Sequence, residues 1–201
     1  MDIFVITVIV AAAVFMVRRT QERQRIMLLA SYLGPFQIEK LMATLSEGYL
    51  RALGMDDPQR QQLVWEHLRT SERALSDQFD QFAQRFASAN AENTRISTLA
   101  WALPWADRLF PAATFDARKA MAIHAKGIRR AVEADSDLPA KSRAYTLSAE
   151  MFLMQHTCHW FCKSKPVASA RMLVRHKTRY AQLLESVAPE TARAYRALLG
   201  A

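Results

Sequence analysis

Fifteen consecutive residues, Ile3 to Val17, contain a single hydroxyl, that of Thr7, and no charge; Arg18 and Arg19 follow at once. A helix that is apolar on every side needs an apolar surround on every side. The stretch is therefore a removed signal, a membrane span or a core helix. A secretory signal begins with a positively charged region, whereas here only Met1 and Asp2 precede the apolar run. Ala11-Ala12-Ala13 imitates a cleavage site, but Val14, Phe15, Met16 and Val17 continue the run beyond it. Fifteen helical residues reach roughly 23 Å, less than the ~30 Å hydrocarbon layer. Long arginine side chains and local thinning of the bilayer make up such a shortfall. Residues 1–19 thus read as a transmembrane anchor. A buried N-terminal helix or an oligomer contact is the alternative that the short run favours. Arg18, Arg19, Arg23 and Arg25 flank the span, offset only by Glu22. The positive-inside rule then predicts a single-pass protein of the inner (plasma) membrane, with its N-terminus outside and residues 20–201 in the cytoplasm. Cys158 and Cys162 agree with a reducing compartment, because two thiols four residues apart on one helix are poorly aimed at each other.

Behind the anchor the pattern is all-α. The chain of 201 residues holds only 5 glycines and 7 prolines, so little interrupts helix over long stretches. At 51% hydrophobic and 23% charged, it has the composition of a globular protein with a substantial core. The helix is expected to continue from Thr20 to Leu33 and to break at Gly34-Pro35. A second helix is expected from Pro35 to Leu53, stopped by Gly54. Asp57-Pro58 is a strong start signal for a third, running to about Ala89. Leu68, Leu75, Phe79, Phe82 and Phe86 fall on one stripe of it and are expected in the core. The segment Thr98–Pro111 holds Trp101 and Trp105 between prolines; it is expected to pack over the core, an exposed docking site being the alternative. Further helices are expected from Phe115 to Ala134, from Asp137-Leu138-Pro139 to Lys165-Pro166, from Val167 to Val187, and from Ala188-Pro189 to Gly200. That makes six to eight helices after the anchor.

One segment resembles chemistry. Met154–Pro166 gathers His156, Cys158, His159 and Cys162, all of them soft metal ligands. On one helix, at about 100° per residue, they spread too widely for all four to meet. His159 with Cys162 remains as a weak metal pair, and the same two residues are the candidates for a thiol-dependent enzyme. The haem-attachment pattern fails because Gln155 stands where its first cysteine would be. The surrounding residues instead predict a central helix apolar nearly all round, in which cysteine acts as a small hydrophobe. There is no phosphate-binding glycine loop, no HExxH, no GxSxG and no EF-hand loop. No catalytic residues and no cofactor are predicted.

Charge carries the rest. Residues 1–100 hold 11 Lys+Arg and 11 Asp+Glu; subtraction from 27 and 19 leaves 16 and 8 for residues 101–201, so the net +8 lies entirely there. No acidic residue occurs between Glu150 and Glu185, a window that contains Lys163, Lys165, Arg171, Arg175, Lys177 and Arg179. Arg171, Arg175 and Arg179, at i, i+4 and i+8, are expected to form one ridge of a helix that repels itself by some tenths of a kcal/mol per pair. An anionic partner stabilises such a ridge. The expected role is a non-enzymatic adaptor or assembly subunit of a membrane complex, such as a bacterial secretion or conjugation machine, docking an acidic protein segment. Anionic lipid and nucleic acid are the other partners this charge admits.

Overall fold

A computed structural model describes residues 3–99, 103–134 and 139–200. The first helix, α1 (Ile3–Leu33), runs without a break from the apolar stretch into the body. Its first half stands clear: Ile3 to Met16 are exposed and none of the apolar window is covered by the rest of the chain. None of the described residues gives this segment a core role, and among them it forms the one helix long and apolar enough to cross a membrane. The second half docks. Leu29 is buried, and Tyr32 meets the Phe86 ring edge-on at 5.4 Å.

The body is helical. α2 (Ile38–Leu53) starts three residues later than Pro35 suggests, because the side chain of Gln78 takes the Gln37 N–H at 2.7 Å. α3 (Pro58–Phe86) is capped as expected, with Asp57 Oδ1 accepting from the amides of Gln59 and Arg60. Leu68, Leu75, Phe79, Phe82 and Phe86 are all buried, and the Phe82 and Phe86 rings stack at 5.6 Å. α4 (Ala106–Leu109) is a single turn, and α5 (Ala117–Glu133) begins at the side-chain cap of Asp116. α6 (Ala140–Cys162) is the central helix, packed against α1, α2, α5, α7 and α8. Asp137 and Leu138, expected to open it, lie outside the described residues. α7 (Lys165–His176), α8 (Tyr180–Ser186) and α9 (Pro189–Leu199) complete the chain, with Gly200 in the left-handed conformation past the last turn. Nine α-helices among the described residues leave eight after α1.

Two further features depart from expectation. Three-residue strands β1 (Arg95–Ser97) and β2 (Thr114–Asp116) pair antiparallel, Ile96 opposite Phe115. The helix expected from Val167 to Val187 is two helices. Lys177 sits at φ 53°, and its amide closes α7 on the carbonyl of Leu173. His176, stacked on Phe152 at 3.9 Å and bonded to Gln155, holds the end of α7 against α6.

Candidate partner-binding surface

α7 folds back along α6: Arg171 bonds His159 at 3.2 Å, while His176, at the far end of α7, reaches back to Gln155 and Phe152; the His156 ring bonds to Ser169 Oγ at 3.0 Å. The helix buries Ala168 and Met172 and turns its other side outward. The break at Lys177 ends the predicted three-arginine ridge. Arg171 and Arg175 lie on α7, Lys177 is in the turn, and Arg179 is the extended residue that precedes α8. The six basic residues therefore divide. Lys163 is engaged within the chain, in an ion pair with Glu22 at 3.2 Å. Lys165 lies over the rings of Tyr180 and Trp160 at 4.8 and 5.1 Å. Arg171, Arg175, Lys177 and Arg179 are exposed, and none of these four makes a salt bridge among the described residues.

Between these arginines α7 also exposes Leu173 and Val174, the latter at 73%. A shallow groove of about 420 Å³ runs along the seam, lined by His159, Arg171, Val174, Arg175 and His176 among others. His159 takes part as a neutral base. Burial, then the charges of Arg171, Arg175 and His176, hold its pKa below the ordinary 6.5. Its Nδ1 accepts an N–H of Arg171, which leaves the proton on Nε2. Apolar side chains with arginine around them match the composition of protein-docking patches. Tyr180, the one aromatic among these basic positions, stacks inward on His156 at 4.5 Å and offers no free platform for a base.

The thiols have the character of packing groups. Burial pushes Cys158 well above the ordinary thiol value and Cys162 up to about 11, so neither is a thiolate at neutral pH. Among the described residues no three His, Cys, Asp or Glu side chains converge as a metal site would require.

The four arginines that follow the apolar stretch also divide. Arg18 pairs with Glu22 at 3.1 Å, and Arg19 lies over the Phe15 ring. Arg23 is exposed. Arg25, expected as a free flank charge, is instead an internal clamp. It donates to the carbonyls of Phe161 and Arg95 at 3.3 and 3.1 Å and pairs with Asp107 at 3.5 Å. Around it Gln21, Glu22, Asp107, Trp160 and Lys163 line a cavity of about 50 Å³ that joins α1 to the body. The sequence does not signal this clamp, because every partner of Arg25 in it lies at least 70 residues away along the chain.

The interior holds polar groups that periodicity does not reveal. Thr157 Oγ1 bonds His124 Nε2 at 2.9 Å and the hydroxyl of Tyr195 at 2.8 Å, all three buried. Glu150 is fully buried, its Oε1 accepting the Ala188 amide at 3.0 Å. Burial pushes its carboxyl up to about 7, against the opposing pull of Thr191, the Ala188 amide and Arg130. These groups lock α5, α6 and α9 together.

Compared with protein-family models, curated proteins and solved structures, the chain matches none.

Proposed function

We propose that the chain is a single-span membrane anchor carrying an adaptor domain, whose α6–α7 face docks an acidic segment of another subunit of a membrane-bound complex. The observation that carries this reading is the set Arg171, Arg175, Lys177 and Arg179, exposed beside Leu173 and Val174 and without a carboxylate partner among the described residues. Lys163 and Lys165 drop out of the docking set, because Glu22 and two aromatic rings already hold them. Like charges on adjoining turns repel, and a partner carboxylate relieves that repulsion. The excess of arginine after Val17 favours a cytoplasmic body and an external N-terminus in the plasma membrane of a bacterial cell, with Arg19 and Arg23 as the exposed flank charges that have no carboxylate partner among the described residues. The inward stacking of Tyr180 argues against single-stranded nucleic acid, and the raised thiols argue against a cysteine nucleophile.

The test is affinity purification of the full chain in mild detergent, alongside the variant Arg175→Glu with Arg179→Glu. A stoichiometric protein partner that is lost on charge reversal, while circular dichroism stays unchanged, supports the adaptor. A partner retained at the same level removes its main support. Co-purifying nucleic acid that dissociates steeply with salt would move the reading to the nucleic-acid class.

A further inference from the structure

Four of the exposed apolar residues of the body lie together in one short segment tied to α1. Leu103, Trp105, Leu109 and Phe110 are 50, 46, 64 and 46% exposed within eight residues of chain. In a one-turn helix flanked by prolines, only Ala106 is buried. The backbone here is held in an unfavourable form. Trp105 lies in the left-handed region at φ 52°, a conformation that costs a bulky side chain of order 1 kcal/mol or more. Three bonds maintain it. The Trp105 N–H donates to Gln21 Oε1 at 3.1 Å, and the Trp105 carbonyl accepts from the amides of Arg108 and Leu109. The Arg25–Asp107 pair ties the same turn to α1 a second time. A conformation held this firmly, with four large apolar side chains left outside, gains nothing from water.

The height of this turn is set by α1. Gln21 is four residues beyond Val17, which is about 6 Å along a helix. The interfacial layer on each side of a bilayer is about 5–8 Å thick. If Ile3–Val17 fills the hydrocarbon, the residues tied to Gln21 lie at the level of the headgroups. Tryptophan and phenylalanine collect at that level, with arginine beside them. Arg19 on α1 and Arg108 within the patch are exposed, each free of any carboxylate among the described residues.

We infer that residues 103–110 form a second membrane contact: an interfacial foot that inserts Leu103, Trp105, Leu109 and Phe110 among the lipids of the leaflet α1 enters, with Arg19 and Arg108 against anionic headgroups. This inference rests on α1 spanning the bilayer. The foot fixes how the body stands on the membrane and therefore which way α7 faces. It also offsets the shortness of the span, because it draws the body toward the bilayer.

The test uses the full chain in phosphatidylcholine vesicles containing phosphatidylglycerol. In a Cys158→Ser, Cys162→Ser background, an environment-sensitive fluorophore is placed at Leu109→Cys, at Val10→Cys in mid-span, or at Leu50→Cys, an exposed apolar position on α2. Lipids carry a quencher either high or low on the acyl chain. The foot predicts that the label at position 109 loses most of its emission to the shallow quencher, the label at position 10 loses most to the deep one, and the label at position 50 is unaffected by both. Quenching at position 10 with position 109 behaving like position 50 overturns the foot and leaves the span standing. No quenching at position 10 overturns the span, and the foot falls with it.

Discussion

The chain contains two long helices that are apolar nearly all round, and they meet that condition in opposite ways. α6 is surrounded by five neighbouring helices, and its residues from Leu147 to Phe161 are largely buried. The first half of α1 is covered by none of the other described residues. Their polar groups differ accordingly. In α6 the side chains of Glu150, His156 and Thr157 each find a partner on another element: the Ala188 amide, Ser169, and His124 with Tyr195. In the first half of α1 the one hydroxyl, Thr7, bonds back to its own helix at the carbonyl of Ile3. A buried protein helix admits polar atoms because neighbours bring partners; a helix in hydrocarbon must satisfy itself. The comparison separates two uses of the same composition, and it rests on partners rather than on hydropathy.

The largest test of that contrast is a matched pair of phenylalanine truncations. Phe82→Ala should destabilise the body by about 3–5 kcal/mol, because the ring is fully buried among Phe36, Phe79 and Phe86. Phe15→Ala, on the free half of α1, should leave the denaturant midpoint of the body unchanged. Equal losses would mean that the first half of α1 belongs to the folded core.

Next in size is Glu150→Gln. The folded state raises this carboxyl from its ordinary 4.5 to about 7, so it retains a proton that the unfolded chain releases. The resulting stability is complete below pH 4.5 and is lost as pH rises through about 7. His124 and His156, lowered by burial to about 3 and about 4, act in the opposite sense. Their contribution is complete above 6.5 and is lost as pH falls through those values. Glutamine removes only the first effect. Relative to the parent, the variant should therefore gain on the order of 3 kcal/mol between pH 4.5 and about pH 8, read from urea denaturation across that window. A difference independent of pH would show that Glu150 ionises freely and that the interior of α6 is wetter than described.

Arg25→Ala should cost about 1–2 kcal/mol, because the side chain is part-buried and bonds two carbonyls besides Asp107. Protection of the amides around Ala106–Phe110 from hydrogen exchange should fall with it. Arg175→Glu should change stability by less than about 0.5 kcal/mol. A larger loss would show that this arginine is part of the fold and not of a docking face.

These regions were unequally legible in the sequence. The free half of α1, the Asp57-Pro58 cap and the phenylalanine stripe of α3 stand out because each follows from local rules: uncharged length, cap chemistry and a 3.6-residue period. The break between α7 and α8 does not, because Ala168, Met172, Leu183 and Val187 stay within about 100° of one another as though one helix continued. Only His176 stacked on Phe152, a contact between distant residues, shows where the chain must turn. The loss of the three-arginine ridge follows from the same break. Three-residue strands are too short to show alternation, and their pairing joins residues some twenty positions apart. Composition alone predicts that the segment around Trp105 packs, since aromatics usually do. Its exposure depends on the tie to Gln21, which no pattern in residues 98–111 announces; Trp101 lies outside the described residues.

The most direct measurement is alkaline carbonate extraction of membranes from cells expressing the full chain, beside the same chain with Val10→Arg. A charge in mid-span costs about 3 kcal/mol or more in hydrocarbon and little in water. A span predicts that the parent chain stays in the membrane pellet and that the arginine variant moves measurably into the soluble fraction. Release of the parent chain by carbonate would contradict the account, and the exposed face of α1 would then require a protein surface to cover it.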